Sequence, residues 1–180
     1  MINFNNINYN KKDINKVLDT LTILYDSREQ KNSHILNQLD KKGINYYKKK
    51  LEYGDYTAGI IINNNKYSFE NEIVIERKGS GYIGLDELVN NMSNDRERFI
   101  KQLKRNKDNN IKLYLLVENS KWDDLFKGNY KSNMNLNSCL GSLFTFLHRY
   151  NIYINFIFKQ NSANYIYKLF YYYIKEKLKG

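Results

Sequence analysis

Residues 74–88 read VIERKGSGYIGLDEL, an apolar, β-branched run that ends on three adjacent charges, Glu76, Arg77 and Lys78, before a glycine-rich break. A buried strand can finish this way only where the charges have partners or chemistry to serve, because an isolated charge is costly away from water. Side chains alternate across a strand, so Glu76 and Lys78 share one face and Arg77 takes the other.

The flanking sequence supplies a frame for this strand. Upstream, Ile14, Val17, Leu18 and Leu21 follow the i, i+3, i+4, i+7 spacing of a short amphipathic helix behind an Asn-rich arm. LTILYD over 21–26 reads as a buried strand, and SHILNQLDKKG over 33–43 as a helix with Ser33 as N-cap and Gly43 as its stop. Strands follow over about 44–51 and 56–62, and NNN at 63–65 turns the chain into the hairpin that EIVIERK closes. Downstream, one polar helical region over about 85–106 places Leu85, Leu88, Val89, Met92, Phe99, Ile100 and Leu103 on one face. IKLYLLVE at 111–118 is a central strand, followed by a helix over 135–150, a strand over 152–158 and a helix over 162–178. Strands alternating with helices predict an α/β fold, a mixed central sheet flanked by helices. We expect an arm and short helix over 1–20 and a single domain over 21–180.

With 180 residues, 42% of them hydrophobic, the chain can bury one sizeable core. Its single cysteine, Cys139, excludes an internal disulfide framework and is expected as a small core residue. No apolar run is long enough to span a bilayer, and MINFNNINYNKK lacks signal-peptide character, so the expectation is a cytoplasmic chain with no membrane partner. A net charge of +10 favours a polyanionic partner, nucleic acid first. Asn, Lys, Ile and Tyr are abundant throughout and proline is absent, so Asn-rich runs are taken as turns rather than as function.

On this frame Asp26 ends the first strand, Asp55 lies in GDY at 54–56 between two strands, and Glu76 closes the hairpin. Carboxylates gathered at strand ends repel in a low-dielectric cleft, and the arrangement makes sense where a divalent cation such as Mg²⁺ neutralises them. A neighbouring lysine, Lys78, can orient or help deprotonate an attacking water. The chemistry implied is phosphodiester hydrolysis, with a cation stabilising the phosphate charge and lowering the pKa of its water. Arg96, Arg98, Lys101, Lys104 and Arg105 crowd one helical stretch and suggest a phosphate-contacting surface. His34 and His148 have no third zinc-type ligand spaced near them and are expected to be ordinary helix residues.

DSRE at 26–29, GDY at 54–56 and ERK at 76–78, in that order, resemble the nuclease domain of the XPF family, structure-specific endonucleases of the restriction-endonuclease-like PD-(D/E)xK superfamily. The likeness continues through LDEL at 85–88, DRERFIKQL at 95–103, LYLLVE at 113–118 and SLFTFLHRYNIYINFIF at 142–158. The resemblance implies a restriction-endonuclease-like fold and a Mg²⁺- or Mn²⁺-dependent endonuclease acting on branched or partly single-stranded DNA. It assigns the cation to Asp26, Asp55 and Glu76 and the catalytic lysine to Lys78, with Arg28, Glu29 and Arg77 in support. The family's aspartate three residues after ERK is replaced by Gly81, and Asp86 is assigned that place across the GSGYIG insertion. The tandem helix-hairpin-helix module of many relatives does not follow here, so the DNA grip is expected from this domain, a second copy or another protein. Family nuclease domains commonly pair, and the surplus tyrosines Tyr171 and Tyr172 offer a homodimer surface. A catalytically idle scaffold subunit and a metal-dependent RNase stay open as alternatives; the intact Asp55, Glu76 and Lys78 set argues against the first.

Overall fold

The computed structural model describes residues 10–179 apart from Ser80 and Tyr82; the Asn-rich arm before residue 10 and part of the GSGYIG insertion therefore lie outside the described residues. Among the described residues a seven-stranded mixed sheet is covered by helices on both faces. Its strands are β1 (Thr22–Asp26), β2 (Tyr46–Lys49), β3 (Tyr56–Ile62), β4 (Asn65–Ser68), β5 (Ile73–Lys78), β6 (Lys112–Glu118) and β7 (Tyr153–Ile157). They run in the order β2-β1-β3-β5-β6-β7, with β4 paired to β3. The helices are α1 (Lys11–Leu18), α2 (Ser33–Lys41), α3 (Gly84–Met92), α4 (Arg96–Asp108), α5 (Trp122–Phe126), α6 (Leu136–Tyr150) and α7 (Ser162–Lys179).

The alternation of β5 divides the core in two. Ile73 and Ile75 pack with α1, α2 and α7, whereas Val74 packs with α3, α4 and α6. Leu116 of β6 joins the first cluster and Leu113, Leu115 and Val117 the second, following the parallel register Arg77↔Leu116 and Lys78↔Val117. Cys139 is fully buried in the second cluster. No described helix is long and apolar enough to cross a membrane.

Strand direction decides where the charged ends meet. β3 is antiparallel to both β1 and β5, and β5 is parallel to β6. The C-terminal ends of β1, β5 and β6 and the N-terminal end of β3 therefore share one end of the sheet. Asp26, Glu76, Glu118 and Asp55 sit there.

Local chemistry accounts for the departures from the sequence-based expectation. The helical region over 85–106 is two helices, broken at 93–95. Ser93 Oγ bonds back to the Val89 carbonyl and the Asn90 amide donates to Asp95 (2.9 Å), local bonds that compete with the helical ladder. The N-cap of α2 is Asn32 rather than Ser33, and Lys42 ends the helix with Gly43 beyond it at φ +63°. The NNN turn is a tight hairpin in which Asn63 and Asn64 both take positive φ, with Ile62 paired to Asn65. The short helix α5 was missed because WDDLF is too brief to show a period.

Gly54 takes φ +61°, and a Cβ there would lie 2.8 Å from Val74 Cβ and 2.9 Å from the Ile75 carbonyl oxygen. Left-handed backbone and overpacking against a buried strand add, so Gly54→Ala should lose about 2–4 kcal/mol in urea denaturation. A loss under about 0.5 kcal/mol would show that the loop entering β3 can shift without cost.

Candidate active site

A cleft of about 440 Å³ opens at the charged end of the sheet, between the turn after β1, the loop before β3, the end of β5 and one side of α4. Asp55 and Glu76 both line it. One Asp55 oxygen accepts the Arg77 amide (2.8 Å), so the backbone of β5 sets its position. Glu76 is gripped from two sides: Lys78 Nζ donates to Oε1 (2.9 Å) and Gln102 Nε2 to Oε2 (2.6 Å).

The electrostatics are those of a site short of positive charge. Burial, the Glu76 carboxylate and the Glu29 carboxylate push the Asp55 carboxyl well above the usual range, against the opposing pull of Lys78 and the Arg77 amide. Lys78 is only 4% exposed. Burial works against its ammonium, but Glu76, Asp55 and Glu87 outweigh it and raise its pKa, so it stays charged. Its Nζ also lies 5.3 Å from the centroid of the Phe99 ring.

Arg77 points to the reverse face. Its guanidinium is buried and pairs with the half-buried Glu29, which also lines the cleft, and with the buried Glu118 through Oε2 (2.9 Å). Glu118 also accepts from Ser162 (2.5 Å) and pairs with His34 Nε2 (2.8 Å). Burial alone would raise its pKa, but His34, Ser162 and Arg77 together lower it. His34 is thus a partner of the strand ends rather than an ordinary helix residue.

Asp26 lines the cleft, yet its carboxylate is engaged by Arg28, through Nε (2.9 Å) and a second guanidinium nitrogen (2.6 Å), and by the Leu51 amide (3.1 Å). Burial opposes its ionisation, and the hydrogen bonds from Arg28 and Leu51 overcome that and lower its pKa. Among the described residues no three acidic, histidine or cysteine side chains gather as a metal cage. The expected trio of Asp26, Asp55 and Glu76 is therefore not assembled as ligands, and Asp26 instead ties the chain before Asp55 to the end of β1. Two carboxylates nonetheless suit Mg²⁺, which is held by one or two such groups and keeps several waters.

Asp86 does not reach the cleft: it accepts the Lys131 amide (2.9 Å) on the far side of α3. Glu87, one residue on, lies 3.9 Å from Lys78 and accepts the Gly79 amide. The insertion returns through a narrow gap, where a Cβ on Gly84 would meet the Lys78 carbonyl at 2.2 Å. On α4, Arg98, Lys101 and Arg105 line the cleft, Lys104 is exposed outside it, and Arg105 lies over Tyr53 (4.5 Å) and pairs with Glu52 (2.6 Å). Arg96 turns the other way, bonding Ser142 and covering the Phe146 ring at 4.8 Å, so it packs α4 against α6 instead of facing a ligand.

Gln102, Glu118 and Tyr53 were not anticipated. The i, i+4, i+7 series 98, 102, 105 contains Gln102, but a search for charges passes over an amide. Glu118 ends the buried strand β6, where a charge needs partners just as Glu76 does near the end of β5.

Residues 25–169 match the family model of the ERCC4 domain. Among solved structures, the chain is similar to XPF from Aeropyrum pernix, with a TM-score of 0.53 at 15% identity over 83% of this chain and 59% of that one. XPF from Aeropyrum pernix in complex with DNA is similar with a TM-score of 0.58 at 19% identity over 86% of this chain and 66% of that one. The chain thus spans less than two thirds of either solved chain. No curated protein matches it by sequence. The solved structures share the mixed sheet flanked by helices, and the family model extends over most of the chain: it belongs to the ERCC4 domain family.

Proposed function

We propose that the chain is a Mg²⁺- or Mn²⁺-dependent endonuclease that hydrolyses phosphodiester bonds in branched or partly single-stranded DNA. The observation that carries this reading is the pair Asp55 and Glu76 in one cleft, under-neutralised, with Lys78 behind Glu76 and the basic side of α4 in front. Family membership supports nuclease chemistry, and the DNA held by the solved XPF complex supports the choice of substrate.

Each residue has a part that follows from its position. Asp55 and Glu76 would hold the cation, which when bound neutralises the developing phosphate charge and acidifies its water. Lys78, held against Glu76, would donate hydrogen bonds to the scissile phosphate and orient the attacking water. Gln102 fixes the second oxygen of Glu76. Arg98, Lys101 and Arg105 draw the phosphate backbone along the cleft without reading bases. Asp26, with Arg28, positions the loop bearing Asp55. Pairing with a second subunit would use exposed apolar surface, such as Phe126 and Phe144 stacked on Trp122; Tyr172 is exposed and Tyr171 half-buried.

Labelled flap DNA and its RNA counterpart, incubated with Mg²⁺ and with EDTA, test the reading. Mg²⁺-dependent cuts in DNA alone are expected; RNA cleavage alone, or no cleavage of either, would replace the proposal with an RNase or an idle subunit. Asp55→Ala and Glu76→Ala should each lower the rate about a thousandfold or more. Gln102→Ala should cost about tenfold, since it loosens a ligand without removing it.

Asp55 also predicts a stability signature. Its folded pKa lies above its unfolded value, so the native state binds the extra proton and stability falls as pH rises from the unfolded pKa through the folded one. In EDTA at neutral pH, Asp55→Asn should therefore raise Tm by about 2–4 °C, the shift that about 1 kcal/mol produces in a domain of this size. The gain should vanish at pH 3.5, where the wild-type carboxyl is protonated in the folded state. An equal or lower Tm in EDTA at neutral pH would show that the charge on Asp55 is already compensated.

A further inference from the structure

A second concave surface lies at the opposite end of the sheet. Between α7 and the N-terminal ends of β5 and β6, a groove of about 670 Å³ is lined by Ile73, Tyr114, Tyr165, Lys168, Tyr172 and Tyr173 among others. Five steps of about 3.3 Å along β5 separate Ile73 from Lys78, so the groove is roughly 16 Å from the catalytic lysine along the strand. It also opens on the other face, since α7 packs with Ile73 and Ile75 and α4 packs with Val74. Nothing bound at Asp55 and Glu76 fills it directly.

Its chemistry is aromatic inside and cationic at the rim. Tyr172 in its lining is 53% exposed, and Tyr114 is stacked on Tyr153 of the neighbouring strand β7 with centroids 4.7 Å apart and planes 19° from parallel. Lys168 lies 5.8 Å from the Tyr172 centroid and Lys112 5.1 Å from that of Tyr173. The carboxylates nearby are already paired: Glu176 with Lys179 (2.6 Å), and Glu72 with Lys177 and the Tyr173 hydroxyl. Abundant tyrosine and lysine in the sequence explains their number but not this placement, rings within and ammonium groups around.

We propose that this groove binds single-stranded nucleic acid, with bases stacking on its tyrosine rings and phosphates held by its lysines. Stacking of this kind tolerates any base, because each presents a π-face, and the rim supplies the sequence-independent electrostatic part. Charge argues against a second copy as occupant. A two-fold contact would bring identical lysine rims face to face, and lysine is depleted at protein interfaces. A single strand carries the phosphates that this rim complements. The proposal goes beyond the nuclease reading and stands whether or not the cleft cuts.

The test is fluorescence anisotropy of labelled oligo-dT and oligo-rU with the full chain in EDTA, where cleavage is suppressed, together with photo-cross-linking of an iodouracil-substituted strand. Tyr172→Ala should weaken binding about tenfold and Tyr172→Phe, which keeps the ring, should not. Lys168→Ala should flatten the dependence of log affinity on log salt by roughly 0.7, one phosphate contact on a single strand. Cross-links should fall on Tyr172, Tyr114 or Tyr165. Equal loss with oligo-rU assigns single strands generally, and loss with oligo-dT alone narrows the ligand to DNA. Unchanged affinity and slope in these variants, cross-links confined to residues 96–108, or a change in sedimentation by Tyr172→Ala without a change in affinity would overturn the proposal. The last outcome would assign the groove to a second copy. Flap cleavage in Mg²⁺ by the same variants, expected to persist, separates failure here from failure of the cleft assignment.

Discussion

Arg77 holds the charged end of the sheet together. Its guanidinium is buried between Glu29 and Glu118, and Glu118 in turn pairs with His34 and accepts from Ser162. One buried cluster thereby pins β5 and β6 to α2, to the start of α7 and to the turn after β1. Desolvating these charges is costly, and the cluster persists because each has a partner; removing one partner from such a group typically costs about 3–5 kcal/mol by leaving a charge unpaired. The same residue serves the other face through its backbone, since its amide holds Asp55. A shift of β5 by one residue would exchange the two faces and lose both arrangements at once.

The cleft face follows the opposite rule. There Asp55 and Glu76 face each other with Lys78 as the buried counter-charge, and burial and repulsion keep the Asp55 proton affinity high. A fold selected only for stability would replace one carboxylate by an amide or an apolar group. Retaining both stores unfavourable free energy that a cation can release, which is how a site gains affinity for an ion without a cage of ligands. Arg77 and Asp55 thus show neighbouring outcomes for buried charge, one balanced within the protein and one short of positive charge.

The fold and the faces taken by Glu76, Arg77 and Lys78 were legible in the sequence because both depend on short-range periods. The alternation in IVIERK gave the faces of Glu76, Arg77 and Lys78, and helical spacing gave the core side of α3 and α4, with Phe99 and Leu103 buried as expected. What sequence did not reveal depends on which side chain reaches a carboxylate first. Asp26 looked like a ligand, but Arg28, two residues on, and the Leu51 amide occupy its oxygens. Asp86 and Glu87 are adjacent and equally acidic; the helix phase of α3 turns the first toward Lys131 and brings the second to Lys78. Arg96 and Arg98 likewise differ by two positions and face different neighbours. Composition cannot separate such pairs, because the outcome rests on a rotation fixed by Leu85, Leu88 and Phe99 in the core.

The glycine-rich segment after β5 passes close to the charged strand ends at two points. After Lys78 the chain passes against Glu118 at Gly79 and returns past the Lys78 carbonyl at Gly84, both too close for a side chain. Glycine at these two points lets the segment leave and re-enter without moving β5 or β6. Glu87, in the first turn of α3, lies near Lys78 and is held by the Gly79 amide. The consequence is electrostatic: the buried ammonium of Lys78 is matched by Glu76 on its own strand and Glu87 on the helix that follows.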